Sequence, residues 1–152
     1  MVGDLNPTRL SNSLSDMTSK PIGVSIIVCA HNSRLRLPKT LEHIAAQRVP
    51  KSLPWEVVIV DNASTDGTAE VAQQEWTGFA RLKIVHEPRL GLSFARERGL
   101  ATASYEYISF VDDDNWICPE WVTTVSEFMS ERQNVGACGG WSEGVFETTP
   151  PS

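Results

Sequence analysis

Three consecutive carboxylates, Asp112-Asp113-Asp114, follow the apolar run Ile108-Ser109-Phe110-Val111. Like charges this close repel one another, and a hard divalent cation with oxygen ligands is the usual way to make such a cluster favourable. On a strand that continued through the triplet, Asp112 and Asp114 would share one side and Asp113 the other. That geometry suits one carboxylate on a metal and another on a ribose hydroxyl. The alternative is a solvated acidic turn before a helix begun by Pro119; the apolar strand leading into the triplet favours a site. Asp61 ends a second apolar run, Val57-Val58-Ile59-Val60, in the same manner. A carboxylate there can accept from a base N–H or a ribose hydroxyl, and Asn62 beside it can both donate and accept. Asp61, Ser64 and Asp66 can equally build a turn and cap the next helix. We prefer the turn for Ser64 and Asp66, and the ligand for Asp61. Arg96 and Arg98 stand in the segment Leu90–Gly99. An arginine facing a crevice neutralises phosphate bidentately, but two residues apart on a helix the pair cannot face the same way, so at most one is a ligand. His31 and His86 are lone histidines, read as satisfied structural groups.

The elements that must position these groups follow from the hydrophobic pattern. Val24–Ala30 is a nearly continuous β-branched run, as in a strand buried on both faces. After His31-Asn32-Ser33, the residues Leu37, Leu41, Ile44 and Ala45 fall at helical spacing, with Pro38 in the first turn and an end expected near Val49-Pro50. A strand Glu56–Val60 stops at Asp61, and Asp66-Gly67-Thr68 opens a helix with Asp66 as N-cap and Glu70 in its first turn. Then come a strand Arg81–His86, a helix from about Ser93 to Ala103, a strand Tyr105–Val111, and a helix from Pro119 with Trp121, Val122, Val125, Phe128 and Met129 on one face. A last short strand, Val135–Cys138, leads into Gly139-Gly140-Trp141. This alternation predicts an α/β fold with a mostly parallel sheet and helices on both faces, where ligands bind beyond the carboxyl ends of the strands. Residues 1–21, rich in Ser, Asn, Thr and Asp, read as a flexible leader, 22–145 as the domain and 146–152 as a tail.

Composition sets the bounds. A chain of 152 residues fits one domain. Thirteen Lys and Arg against 19 Asp and Glu give a net charge of -6 with no basic stripe, which argues against a nucleic-acid binder. No apolar run approaches the roughly 18 residues of a membrane span, so a transmembrane segment is not expected, and only peripheral membrane association stays open. Cys29, Cys118 and Cys138 are odd in number and form no Cys-x-x-Cys pair; neither zinc nor a disulfide framework is suggested, and a reducing, cytoplasmic compartment is expected. No Gly-x-Gly-x-x-Gly, Gly-Lys-Ser/Thr or Gly-x-Ser-x-Gly pattern is present, which removes support for a dinucleotide site, a P-loop and a nucleophile elbow.

Four segments taken in order, Val24–Asn32, Val58–Thr68, Gly91–Arg96 and Phe110–Asn115, resemble the inverting glycosyltransferases of family 2, which have the GT-A (Rossmann-like) nucleotide-diphospho-sugar-binding fold. The resemblance runs from about Val24 to Trp141. It implies that Cys29 and Ala30, with Asn32 nearby, edge the base pocket of a nucleotide-diphosphate-sugar donor. Asp61 and Asn62 would meet base and ribose. Arg96, in the place of the basic residue of the family's Ala-Arg-Asn segment, would approach the diphosphate; Glu97 replaces the common Asn. Asp112-Asp113-Asp114 matches the Asp-x-Asp motif, with Asp113 on the ribose side and Asp112 and Asp114 as metal ligands, Asp114 foremost, for Mn²⁺ or Mg²⁺.

The implied activity is transfer of the donor sugar to an acceptor hydroxyl on a sugar or glycan, as in polysaccharide or glycoconjugate synthesis. The family's general base lies well beyond the Asp-x-Asp motif, and only residues 115–152 follow Asp114 here. Glu143 and Glu147 stand in that stretch, and nothing around them marks a base. The expectation is therefore a donor-binding part without its acceptor half, with the base outside the chain. Two alternatives are a catalytically silent nucleotide-sugar-binding module and a nucleotidyltransferase; the latter wants a Gly-rich basic loop after the first strand, which Ala30-His31-Asn32-Ser33-Arg34 does not supply.

Overall fold

The computed structural model describes residues 19–145. Most of the expected leader and all of the expected tail lie outside the described residues. Four strands and four helices alternate: β1 (Val24–Ala30), α1 (Leu37–Ala45), β2 (Trp55–Asn62), α2 (Thr68–Glu75), β3 (Arg81–Glu87), α3 (Leu92–Thr102), β4 (Tyr107–Asp112) and α4 (Trp121–Glu131). The sheet order is β3-β2-β1-β4 and every neighbouring pair is parallel. The chain thus steps outward from β1 to β3 and then returns to the other side of β1. The reversal lies between β1 and β4, and a parallel sheet opens its binding crevice at such a point, beyond the carboxyl ends of the strands.

β1 carries side chains into both layers, as its continuous apolar run requires. Ile26 and Val28 join Val57 and Ile59 on one face, under Leu37, Leu41 and Ile44 of α1, Ala72 of α2 and Val122 of α4. Ile27 joins Val58 and Val60 on the other, under Ala95 of α3 and Ala103 at its end. Glu56 is fully buried near the start of β2, away from the carboxyl ends of the strands. Its carboxylate pairs with Lys83 Nζ at 2.9 Å and accepts from the Ser25 hydroxyl at 3.0 Å and the Ser104 N–H at 2.6 Å. Burial pushes its pKa up, but the Lys83, Ser104 and Ser25 hydrogen bonds outweigh that and hold it below the ordinary value.

Several boundaries differ from expectation, each for a local reason. α1 ends at Ala45 rather than near Val49-Pro50 because the next residues are drawn toward the start of α4. Arg48 N–H donates to the Pro119 carbonyl at 2.7 Å, and Gln47 Nε2 donates to the Cys118 carbonyl at 2.7 Å. The residue that caps α2 is Gly67, at φ 85°, and not Asp66. Asp66 lies one residue earlier, accepting from Thr68 N–H at 3.0 Å and from Arg34 N–H at 3.0 Å, so it ties the β1–α1 turn to α2. Residues 135–138 form no strand; the stretch is irregular and pairs with neither edge of the sheet, β3 or β4. β4 stops at Asp112, and Asn115 N–H closes a turn onto the Asp112 carbonyl at 3.1 Å, so the side-to-side alternation does not run through the acidic triplet.

All three cysteines are free thiols. No helix among the described residues is long and apolar enough to cross a membrane. α3 lies close on the sheet because residue 99 is glycine: a Cβ there would stand 2.5 Å from Ile27 Cγ2 and 3.4 Å from Val60 Cγ2. Gly99→Ala is expected to destabilise the fold by roughly 1–3 kcal/mol through overpacking, read as a lower urea midpoint at an unchanged m-value.

Candidate active site

The residues beyond the strand ends are held by side-chain to backbone hydrogen bonds, and these explain how short polar loops keep one shape. At the end of β1, His31 Nδ1 lies 2.7 Å from the Asn62 carbonyl. A carbonyl only accepts, so Nδ1 carries the proton and Nε2 is free to accept from Asn32 Nδ2 at 3.1 Å. Asn32 sits at φ 49°, its N–H donates to Ser64 Oγ at 3.1 Å, and its Oδ1 accepts from Thr65 N–H at 2.9 Å. Ala63 also holds a left-handed φ of 54°. An alanine there costs about 1 kcal/mol, and such strain at a strand end is the kind that surrounding bonds must hold in place.

Asp61 and Asn62 point to opposite sides of β2 and do different work. Asp61 is mostly buried: Oδ1 accepts from Ser64 N–H at 3.2 Å, and Oδ2 is 3.2 Å from His86 Nδ1, its register partner on β3. Asn62 Nδ2 donates to the carbonyls of Glu87 and Arg89 at 3.0 and 2.7 Å, while Oδ1 accepts from Gly91 N–H at 2.8 Å. Its whole amide is thus spent on the β3–α3 loop. That loop is stiffened further by a two-point pair between Arg89 and Glu87, at 2.8 and 3.0 Å, and by Arg89 lying over the Phe94 ring at 4.5 Å. Gly91, at φ 142°, makes the last bend before α3.

Between the loop and the end of β1 lies a cavity of about 250 Å³, walled by Cys29, Ala30, His31, Asn62, Gly91 and Ala95 among others. Burial is the main cause that pushes the Cys29 thiol up to about 11; Arg96 draws it down somewhat, and Asp112 and Asp113 add to the rise. A thiol so held is neutral wall and not nucleophile. Arg96 is exposed on α3 with its guanidinium 5.4 Å from the Phe110 ring of β4, on the crevice side. Arg98 instead acts on Glu87, so the two arginines diverge as their spacing requires.

The acidic turn closes the other side of the crevice. Asp112 stands opposite Cys29 in the sheet and is exposed, with Asn115 Nδ2 at 3.4 Å from its Oδ2. Asp114 is exposed. Asp113 is turned onto the loop that leads into α1, bonded to the Ser33 hydroxyl and to Arg36 Nη2 at 3.1 Å. Ser33 and Arg36 are site neighbours that no local pattern in the sequence marks, whereas His86, read there as a structural histidine, pairs with Asp61. Among the described residues no three of His, Cys, Asp and Glu gather into a ready-made cage for a metal. Two oxygen donors from Asp112 and Asp114 fit Mg²⁺ or Mn²⁺ all the same, because such ions take one or two carboxylates and fill the remaining positions with phosphate oxygens and water.

A parallel sheet in this order, with polar residues gathered beyond its strand ends, is the fold of GT-A glycosyltransferases, and solved members superpose on it. S. aureus TarS 1-349, solved in complex with UDP-GlcNAc, matches with a TM-score of 0.64 and 29% identity over 74% of this chain and 32% of its own. The mannosyltransferase PcManGT from Pyrobaculum calidifontis, solved with GDP-Man and Mn²⁺, gives a TM-score of 0.56 and 31% identity over 64% and 28%. The family model described as Glycosyl transferase family 2 matches residues 25–150, and the chain belongs to that family. Among curated relatives, TuaG of Bacillus subtilis (strain 168), assigned to teichuronic acid biosynthesis as a glycosyltransferase, is 33% identical over 132 residues, 86% of this chain. The chain spans about half of that relative, 51%, and only 18% of GlyA of Streptococcus pneumoniae.

The β3–α3 loop carries its own pH signature. The Arg89 side chain and Arg89 N–H, both bonded to Glu87, hold that carboxyl down at about 2 against an ordinary value of 4.5. A depressed pKa stabilises above the unfolded value and is lost as pH falls through the folded one. Amide exchange at Arg89 N–H is therefore expected to stay slow down to about pH 4.5, and its protection to fall away progressively toward pH 2.

Proposed function

We propose that this chain binds a nucleotide-diphosphate sugar and divalent Mn²⁺ or Mg²⁺ and serves as the donor site for inverting transfer of the sugar to a hydroxyl of a sugar or glycan acceptor. The observation that carries this is Cys29: it walls the cavity, stands opposite Asp112, the first carboxylate of the acidic turn, in the sheet, and has Arg96 close enough to act on its thiol. The family supports it, as do the UDP-GlcNAc complex of TarS and the GDP-Man and Mn²⁺ complex of PcManGT.

In this account Cys29, Ala30 and the turn held by Asn32 form the wall against the base. Asp61 offers its carboxylate, already oriented by Ser64 and His86, to a base N–H or ribose hydroxyl. Asn62 acts through the loop it clamps. Arg96 faces the diphosphate, where a guanidinium meets phosphate in two-point fashion. Asp112 and Asp114 would hold the cation, which supplies neutralisation of the charge that grows on the departing diphosphate. The anomeric carbon passes through an oxocarbenium-like state. The acceptor hydroxyl attacks the face opposite the leaving group, and the base that takes its proton comes from outside the described residues.

A second reading, binding without turnover, rests on the chain's matching only 51% of TuaG and less of other relatives. Incubation with UDP-, GDP- and TDP-sugars plus Mn²⁺ separates the two: released nucleoside diphosphate supports the enzyme, and saturable binding without release supports the module. In either case Asp114→Ala is expected to remove the Mn²⁺-dependent rise in melting temperature seen with nucleoside diphosphate, while leaving the melting temperature without ligand unchanged. An undiminished rise would mean that Asp114 holds no cation.

A further inference from the structure

Asp113 is fastened by its side chain to the β1–α1 turn and by its main chain to α1. Its Oδ2 receives Arg36 Nη2 at 3.1 Å and the Ser33 hydroxyl, and its backbone carbonyl accepts from Thr40 Oγ1 at 2.9 Å. The fasteners are themselves fixed. Ser33 is buried and its N–H donates to Thr68 Oγ1 at 2.9 Å, Arg36 Nη2 also reaches Ser33 Oγ at 3.3 Å, and Thr40 is fully buried in α1. Asp112 and Asp114 have no comparable partner among the described residues: Asp112 meets only Asn115 at 3.4 Å, and Asp114 is exposed.

We propose that Arg36 is a positioning residue for the cation site: by holding Asp113 as a strut against α1, it neutralises the middle carboxylate of the triplet and leaves the outer two aimed at one ion. This rests on the donor-site reading above, and it moves Asp113 from the ribose to the scaffold. The physics has two parts. An unpaired Asp113 would repel both neighbours and push the outer carboxylates out of a shared arrangement. A turn of three residues anchored at its centre gives its outer side chains less freedom, so less ordering is lost when the cation arrives.

The competing picture, in which Asp113 is itself a ligand and Arg36 merely occupies it, makes the opposite prediction for Arg36. Its removal would then free a ligand and tighten Mn²⁺ binding. The experiment measures Mn²⁺ affinity by the electron paramagnetic resonance signal of free Mn²⁺, with UDP present. It compares the unmutated chain with Arg36→Ala, Arg36→Lys, Asp113→Ala and the double variant Arg36→Ala/Asp113→Ala, all at a temperature where each is folded. The strut predicts that Arg36→Ala and Asp113→Ala each weaken Mn²⁺ binding roughly tenfold, the scale of losses when a ligand's supporting partner is removed. The double variant should be no weaker than either single one, and Arg36→Lys should recover part of the loss. Mn²⁺ affinity unchanged or raised in Arg36→Ala overturns the inference, as does a double variant whose losses multiply. Should Asp113→Ala fail to fold, Ser33→Ala takes its place, with the same expected weakening and the same overturning result. No Mn²⁺ binding by the unmutated chain overturns the donor-site reading itself, an outcome distinct from binding that Arg36→Ala leaves intact.

Discussion

Everything in this molecule hangs on β1 being buried on both faces and paired on both edges. A strand so placed needs apolar side chains at successive positions, and Val24, Ile26, Ile27 and Val28 are all fully buried. It needs helices above and below, which α1, α2 and α4 on one side and α3 on the other provide. It also needs a neighbour on each edge, so the chain must reverse direction across the sheet after β3. That reversal leaves the end of β1 flanked by the ends of β2 and β4, and the polar residues that follow these three strands have nowhere to go but one crevice.

The crevice is shaped before any ligand arrives. Asn32, Asn62 and Asp66 each spend side-chain atoms on the backbone of another loop, and each such bond spans 25 or more residues of sequence. Two non-glycine residues with left-handed backbone, Asn32 and Ala63, sit among them. Among the described residues no buried side-chain nitrogen or oxygen lacks a partner, so this loop network carries no hidden desolvation penalty. A site of this kind meets its ordering cost in folding rather than in binding.

The strands were legible in the sequence because a parallel sheet writes itself as uninterrupted apolar runs: β1 has the expected bounds, and β2 extends the expected run by one residue before it and two after. The helix ends were less so, since α1 stops where Gln47 and Arg48 meet residues 118 and 119, partners some seventy positions away that no local pattern contains. The segment 135–138 has strand-like residues but pairs with neither open edge of the sheet, and propensity without pairing does not make a strand. In the site, the acidic triplet, Asp61 and Arg96 stood out because charge at the end of an apolar run is locally visible. The Arg36 and Ser33 bonds to Asp113, and the three backbone partners of Asn62, were not visible, because they are set by the packing of α1 and the β3–α3 loop.

The proposed donor site requires one nucleoside diphosphate and one divalent cation to bind together beyond the ends of β1 and β4. Paramagnetic broadening of backbone amide resonances by Mn²⁺, recorded with and without UDP or GDP, tests it most directly. Broadening is expected to centre on Asp112–Asn115 and to reach Ala30–Asn32 and Arg96, present with nucleotide and much weaker without it. Broadening centred elsewhere, or none in the presence of either nucleotide, would contradict it.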